Sequence, residues 1–139
     1  MVLIINPSAA SVTSAQKIVL PWVADTIDIP ANTLVYKSAA GKVKAASSAA
    51  EITASVIGIT TALIVGEASG NVHMYGLYQN GVWAFTGTSN ARLFLEEGTT
   101  DLSETAPTTK GQWWNSPGFI VSSDEAFFDT RTDLVTEVI

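Results

Sequence analysis

The sequence predicts an all-β chain: a compact sandwich-like or barrel-like domain of short strands, preceded by an extended N-terminal arm. Three observations lead there. Short β-branched and aromatic runs recur between clusters of Gly, Asn, Pro and Asp, which is the punctuation of hairpins. No stretch places apolar residues three and four apart as an amphipathic helix requires. Finally, 47% of the 139 residues are apolar and only 14% charged, against about 25% charged in an ordinary domain. A surface that poor in charge is often completed by other protein.

In chain order, residues 1–28 read as an arm and interaction segment and residues 29–139 as the β-rich domain. Val2-Leu3-Ile4-Ile5 is an apolar tip on the small, polar stretch Asn6 to Gln16. Two readings stand for it: a first strand of the same domain, or the end of an arm that adds to a neighbouring chain, since strand addition supplies hydrogen bonds to an exposed apolar segment. Lys17 to Val23 is extended, with Pro21 marking an edge or a bend. Thr33 to Lys37 and Gly41 to Ala45 form a hairpin around Ser38 to Gly41. Ala45 to Ala54 is an Ala/Ser loop or a single turn of helix. Ser55 to Thr60 is a strand whose Gly58 admits a neighbouring backbone or bulky side chain.

Ala68 to Asn71 reads as a turn into the strand Val72 to Tyr78. Asn80-Gly81 is the strongest hairpin signal, because both central positions of that turn want positive φ, and Val82 to Phe85 is the expected return strand. Trp83 and Phe85 share a face and belong to the core. Ala91 to Leu95 and Thr99 to Ser103 flank a turn at Glu96 to Gly98. Gly118 to Ser123 and Ala126 to Asp129 flank another at Asp124-Glu125, and Asp133 to Ile139 ends the chain as a strand.

Several function classes drop out. With no cysteine there is no disulfide framework, thiolate metal site or cysteine nucleophile, and one histidine builds no imidazole cage. The formal charge of −6 and seven scattered Lys and Arg side chains argue against nucleic acid. No stretch approaches the run of about 18 apolar residues that spans a bilayer, and the start lacks a charged signal-peptide region, so a soluble product is expected. His73 lacks the spacing of any nucleophile motif and reads as hydrogen-bonded or solvent-facing. Glu96-Glu97 and Asp124-Glu125 read as solvated turn charges. No calcium-loop or phosphate-cradling pattern occurs. The expectation is no enzyme, no cofactor and no metal.

The tryptophans point to surfaces instead. Trp113 and Trp114 are adjacent, so in a strand they face opposite sides and at most one belongs to a given core. The other is open to contact with a partner, to cover by this chain's own loops, or to a carbohydrate. Trp22, beside Pro21, is placed to seat the arm on the domain.

Ile29-Pro-Ala-Asn-Thr-Leu-Val-Tyr36, Ala40-Gly-Lys-Val-Lys-Ala45, Val56-Ile-Gly-Ile-Thr-Thr61 and Gly66-Glu-Ala-Ser-Gly-Asn-Val72 follow one another in order. Asn90-Ala-Arg-Leu-Phe-Leu95 with Ser103-Glu-Thr-Ala-Pro107 comes next, and then Phe119-Ile-Val-Ser-Ser123 with Ala126-Phe-Phe-Asp129. Across residues 29–129 this series resembles the tailed-phage capsid decoration, or cement, proteins and related head-fibre and fibre-base modules. Gly111 to Gly118, with its Trp pair, departs from that pattern, and the first 28 residues have no counterpart in it.

The resemblance implies a structural protein on the outer surface of a virion, a homotrimer that binds the major capsid protein and clamps neighbouring subunits against the pressure of packaged DNA. Its alternative is a head-fibre or tail-fibre module that binds host-surface carbohydrate. On the decoration reading the partner-binding residues are Val2, Leu3, Ile4 and Ile5 of the tip, Ile18, Leu20 and Trp22 of the following strand, and Trp113 and Trp114.

Overall fold

A computed structural model describes residues 17–130 and 135–139; the tip Val2 to Ile5 lies outside the described residues. In chain order the elements are β1 (Ile18–Val23), β2 (Leu34–Lys37), β3 (Val43–Ala45), α1 (Glu51–Ala54), β4 (Val56–Thr60), β5 (Ser69–Gln79) and β6 (Arg92–Leu95). They continue as β7 (Leu102–Ser103), β8 (Trp113–Asn115), β9 (Gly118–Ser122), β10 (Glu125–Asp129) and β11 (Val135–Glu137). Among the described residues strand takes 45% and helix 3%, which makes the fold all-β, a curled antiparallel half-barrel.

The organising element is β5, at 11 residues the longest strand. Val72 pairs with Leu20 of β1 and also with Thr60 of β4, so β1 and β4 lie on opposite edges of β5. Tyr75 pairs with Ile18 of β1 and also with Asp129 of β10, so β10 is likewise opposite β1. β4 and β10 therefore share one edge, end to end. The Thr130 hydroxyl sits at their seam, 3.0 Å from the Ile57 carbonyl and 3.1 Å from that of Met74.

From this fork the sheet divides into two wings, β4-β2-β3 and β10-β9-β6-β7. The wings curl toward each other and meet where the Leu34 N–H donates to the Thr100 carbonyl at 2.9 Å. Between them lies the first apolar cluster, with Leu34, Val56 and Ile59 from one wing and Leu93, Leu95, Ile120 and Phe128 from the other. Burying each such side chain stabilises the fold by about 1.5–3 kcal/mol. A second cluster, Ala24, Ile29, Val35, Val43, Ile64 and Val72, fills the opposite side of the first wing. It closes through a parallel bridge from Ala24 to Val43. β8 and β11 form a separate two-stranded ribbon.

The hairpins β2-β3, β6-β7 and β9-β10 stand where the sequence places them, and the Ala/Ser segment carries a single helical turn, α1. Three expectations need revision. The segment 17–28 is not separate from the body: β1 is a strand of the main sheet and Ala24 is fully buried.

The turn expected at Ala68 to Asn71 comes earlier. Ala68 N–H donates to the Val65 carbonyl at 2.9 Å, and Ser69, Gly70 and Asn71 are already paired with β1. Gly70 marks close packing rather than a turn, since a Cβ there would stand 2.5 Å from Ile64.

Asn80-Gly81 makes no hairpin, and Val82 to Phe85 is not a strand. Neither Asn80 nor Gly81 has positive φ. The Asn80 side chain instead accepts the Val82 N–H at 3.2 Å, a local turn that competes with the hairpin geometry. The edges of β5 are meanwhile taken by β1, β4 and β10. Trp83 and Phe85 do share a face, with ring centroids 5.3 Å apart over the first cluster.

Candidate interaction surface

β1 has the features of a contact strand. Ala24 N–H donates to the Ala68 carbonyl at 3.0 Å, and backbone groups alternate in direction along an antiparallel strand. Leu20, Trp22 and Ala24 therefore turn their N–H and C=O groups toward β5, and Val19, Pro21 and Val23 turn theirs outward. Pro21 thus places its missing N–H on the outer edge, where no sheet partner needs it. Beyond Val23 that edge is taken up by β3, through Asp25 N–H to the Val43 carbonyl at 3.0 Å. Among the described residues no strand pairs with the outer edge of Ile18 to Val23.

Along this edge the apolar side chains are not fully covered: Ile18 is 48% exposed, Leu20 45% and Val23 38%. Trp22 behaves differently. It is half-buried against the second cluster, and its indole N–H points at the Met74 sulfur 3.5 Å away. Ile18 and Leu20 are the open apolar side chains and Trp22 anchors the strand that carries them.

The structure adds exposed apolar residues that the sequence reading did not single out. Segment 23–29 crosses segment 63–68, tied by Glu67 N–H to the Ala24 carbonyl and by the Ile29–Ile64 bridge. Ile29 and Ile64 point inward there, and Ile27, Leu63 and Val65 are 69%, 58% and 53% exposed. The run Ala62-Leu-Ile-Val65 looks like buried strand in the sequence. Only the flanking turn and the single bridge reveal that one of its side chains enters the core. Beside Ile27 and Ile29 a shallow cleft of about 200 Å³ is bordered by Asp25, Asp28 and Lys44.

Trp113 and Trp114 do face opposite ways, and each has an intramolecular neighbour. Trp113 packs on the first cluster, and Trp114 meets Phe94 edge-to-face at 5.5 Å. Both stay half-buried. The structure brings neither of them to β1: they belong to the β8-β11 ribbon, apart from Ile18 and Leu20.

His73 is buried, with its Nε2 2.9 Å from the Gly76 carbonyl. A carbonyl only accepts, so Nε2 carries the proton. Burial lowers its pKa, the Gly76 bond opposing and Lys17 adding. In a regular strand residues 73 and 78 would face opposite sides. A bulge breaks the alternation, since adjacent Ile18 and Val19 pair with Tyr75 and His73 and leave Met74 as the extra residue, and His73, Tyr78 and Phe128 meet ring to ring. Tyr78 in turn donates its hydroxyl to Asn32, and burial raises its pKa. These rings pack as part of the core.

The carboxylates staple loops. Glu104 accepts the N–H groups of Thr86 and Gly87 at 3.1 and 2.6 Å. Glu97, expected as a merely solvated turn charge, accepts the Thr109 hydroxyl at 2.6 Å and the N–H groups of Thr108 and Thr109. These bonds hold its pKa below the usual carboxylate range, the Thr109 hydroxyl foremost. Asp101 accepts the Trp83 indole N–H at 3.0 Å. Among the described residues no three His, Asp or Glu side chains gather to hold a metal, and no helix is long and apolar enough to cross a membrane.

Comparison with known proteins adds no relative: no family model, curated protein or solved structure matches the chain.

Proposed function

We propose that this chain is a structural, non-enzymatic protein that works by binding another protein surface through β1 and the apolar tip that precedes it. The observation that carries this reading is the pair Ile18 and Leu20, each nearly half exposed on a strand with an open outer edge. Contiguous apolar surface left open on a soluble domain marks an interaction site. The pair continues into an arm with no charged side chain in residues 1–16.

The partner is assigned from the resemblance of residues 29–129 to phage decoration proteins: the major capsid protein on the outside of a phage head, with the chain acting as a homotrimeric cement. A clamp of this kind needs no chemistry. An ordinary stable interface buries roughly 1,600 Å², and many copies on one shell multiply the effect by avidity. The acidic balance keeps the unbound chain soluble.

Sedimentation of the purified chain with expanded phage heads tests the reading. The chain is expected in the head pellet at a saturable ratio, and Ile18→Asp/Leu20→Asp is expected to stay in the supernatant while remaining folded. A wild-type chain that stays wholly in the supernatant overturns the cement assignment. Saturable binding on a glycan array would replace it with the fibre reading.

A further inference from the structure

Charge is unevenly placed along this chain. Residues 37–44 hold three lysines and no acid, and residues 96–104 hold four carboxylates and no base. The first stretch spans the β2-β3 turn and the second the β6-β7 turn, and β3 and β7 are the terminal strands of the two wings. We propose that the β2-β3 hairpin of one copy places Lys37 and Lys42 in an acidic, aromatic-walled cleft beside β7 of the next, joining copies head to tail. The inference goes beyond the decoration reading, since it concerns contacts between copies and stands whether or not a capsid is the partner.

The cleft has a volume of about 340 Å³, within the range of sites that take a ligand group. Trp83 and Phe85, with ring centroids 5.3 Å apart, form its aromatic wall, and Ser103, Glu96 and Glu104 also line it. Both carboxylates are held by uncharged donors: Glu104 by the Thr86 and Gly87 N–H groups, and Glu96 by the Thr99 hydroxyl at 2.8 Å. No Lys or Arg lines the cleft. Two fixed carboxylates beside aromatic rings select a cation, which is drawn by the charge and by the ring faces.

The hairpin has the matching features. Its tip, Ala39-Ala40-Gly41, is small and exposed, so nothing bulky keeps the flanking lysines from a surface. The tip is also pre-shaped, because the Ser38 N–H donates to the Lys42 carbonyl at 2.7 Å and the Gly41 N–H to the Ser38 carbonyl at 2.9 Å. Little conformational freedom is then lost on contact. Lys44 shares a different cleft with Asp25 and Asp28, and Asp25 reaches the tip through the Ser38 hydroxyl at 3.5 Å. Lys37 and Lys42 are therefore the pair assigned to the contact.

A second copy is the occupant because each copy carries both complementary surfaces. At a formal charge of −6 two copies repel in most orientations, and hairpin against cleft is the orientation that brings opposite signs together. Complementarity of this kind fixes orientation and register. Hairpin and cleft are different surfaces, so the contact is heterologous and runs from copy to copy, closing a ring or extending a filament.

Sedimentation velocity of the full chain at low ionic strength tests the proposal. The sedimentation coefficient is expected to rise with protein concentration and to fall back on addition of salt, which screens these charges. Lys37→Glu/Lys42→Glu is expected to associate at least about tenfold more weakly, and so is Glu96→Lys. Glu104 is left in place because it holds the Thr86 and Gly87 amides. Mixing the two variants is expected to restore a contact, between the intact hairpin of one and the intact cleft of the other. A wild-type chain that stays monomeric overturns the proposal, as does a lysine variant that associates like wild type or a mixture that stays apart. No phage head enters this experiment, so its failure leaves the sedimentation test of the cement reading standing.

Discussion

At the scale of single residues, the closest packing lies where the chain has no side chain. A Cβ at Gly58 would stand 2.5 Å from the His73 carbonyl oxygen, and one at Gly118 would meet the Phe127 carbonyl. Gly58→Ala forces β4 away from β5 and is expected to cost about 1–3 kcal/mol in urea unfolding, the usual range for overpacking. His73 gives a prediction with a sign. Its folded pKa lies below the ordinary 6.5, so between the two values the unfolded chain binds more protons. Its contribution is complete above the ordinary value and is lost as pH falls through that window toward the folded pKa. The wild-type urea midpoint should therefore fall more steeply on acidification below pH 6.5 than that of His73→Gln. Equal slopes would show that His73 is not the group responsible. Glu97 likewise has a depressed pKa, so its hold on the Thr108 and Thr109 amides persists at neutral pH and is lost as pH falls through its folded pKa. Acid-dependent amide exchange at those two positions, absent in Glu97→Gln, checks this. The tight approach at Gly58 is legible in the sequence because glycine inside an apolar strand has few other reasons. The tautomer of His73 is not, because it depends on a bulge at Met74 that no local pattern announces.

Single elements were readable where their signal was local. Turn residues and strand alternation locate β2-β3, β6-β7 and β9-β10, and even the one-turn helix follows from a short Ala/Ser run without an apolar stripe. Asn80-Gly81 fails for a non-local reason: a hairpin needs a vacant neighbouring edge, and β5 gives its edges to strands distant in sequence. The same blindness hid Leu63 and Val65, whose exposure depends on which side of Ile64 meets Ile29. For β1 the sequence supplies Pro21 and the apolar spacing, and the structure supplies the open edge. Ile18→Asp/Leu20→Asp is accordingly expected to change stability by no more than about 0.5 kcal/mol, as exposed substitutions usually do. Phe128→Ala, which empties the middle of the first cluster, should destabilise by about 3–5 kcal/mol. Chemical denaturation of the two variants side by side checks both numbers.

For the molecule as a whole, β5 is common to both wings and both apolar clusters lie against it. Unfolding should accordingly be one cooperative transition, with tryptophan fluorescence and far-ultraviolet dichroism giving coincident curves, as small single domains usually do. Two separated transitions would mean that the wings hold together independently. Composition and turn spacing were enough to establish an all-β fold, since both are sums over the chain. The fork at β5 was out of reach, because it is fixed by pairings between Tyr75, Ile18 and Asp129, residues up to the full length of the domain apart.

The way β1 lies along β5 also has a mechanical consequence. Its N-terminal end lies at Ile18, so a load applied at Lys17 along the strand axis pulls β1 lengthwise past β5. Their backbone bonds are then strained together in shear, not peeled apart one after another, and Trp22, wedged against the second cluster, resists the same sliding. A tether attached at Lys17 should consequently hold far better against tension along the strand than against tension across it.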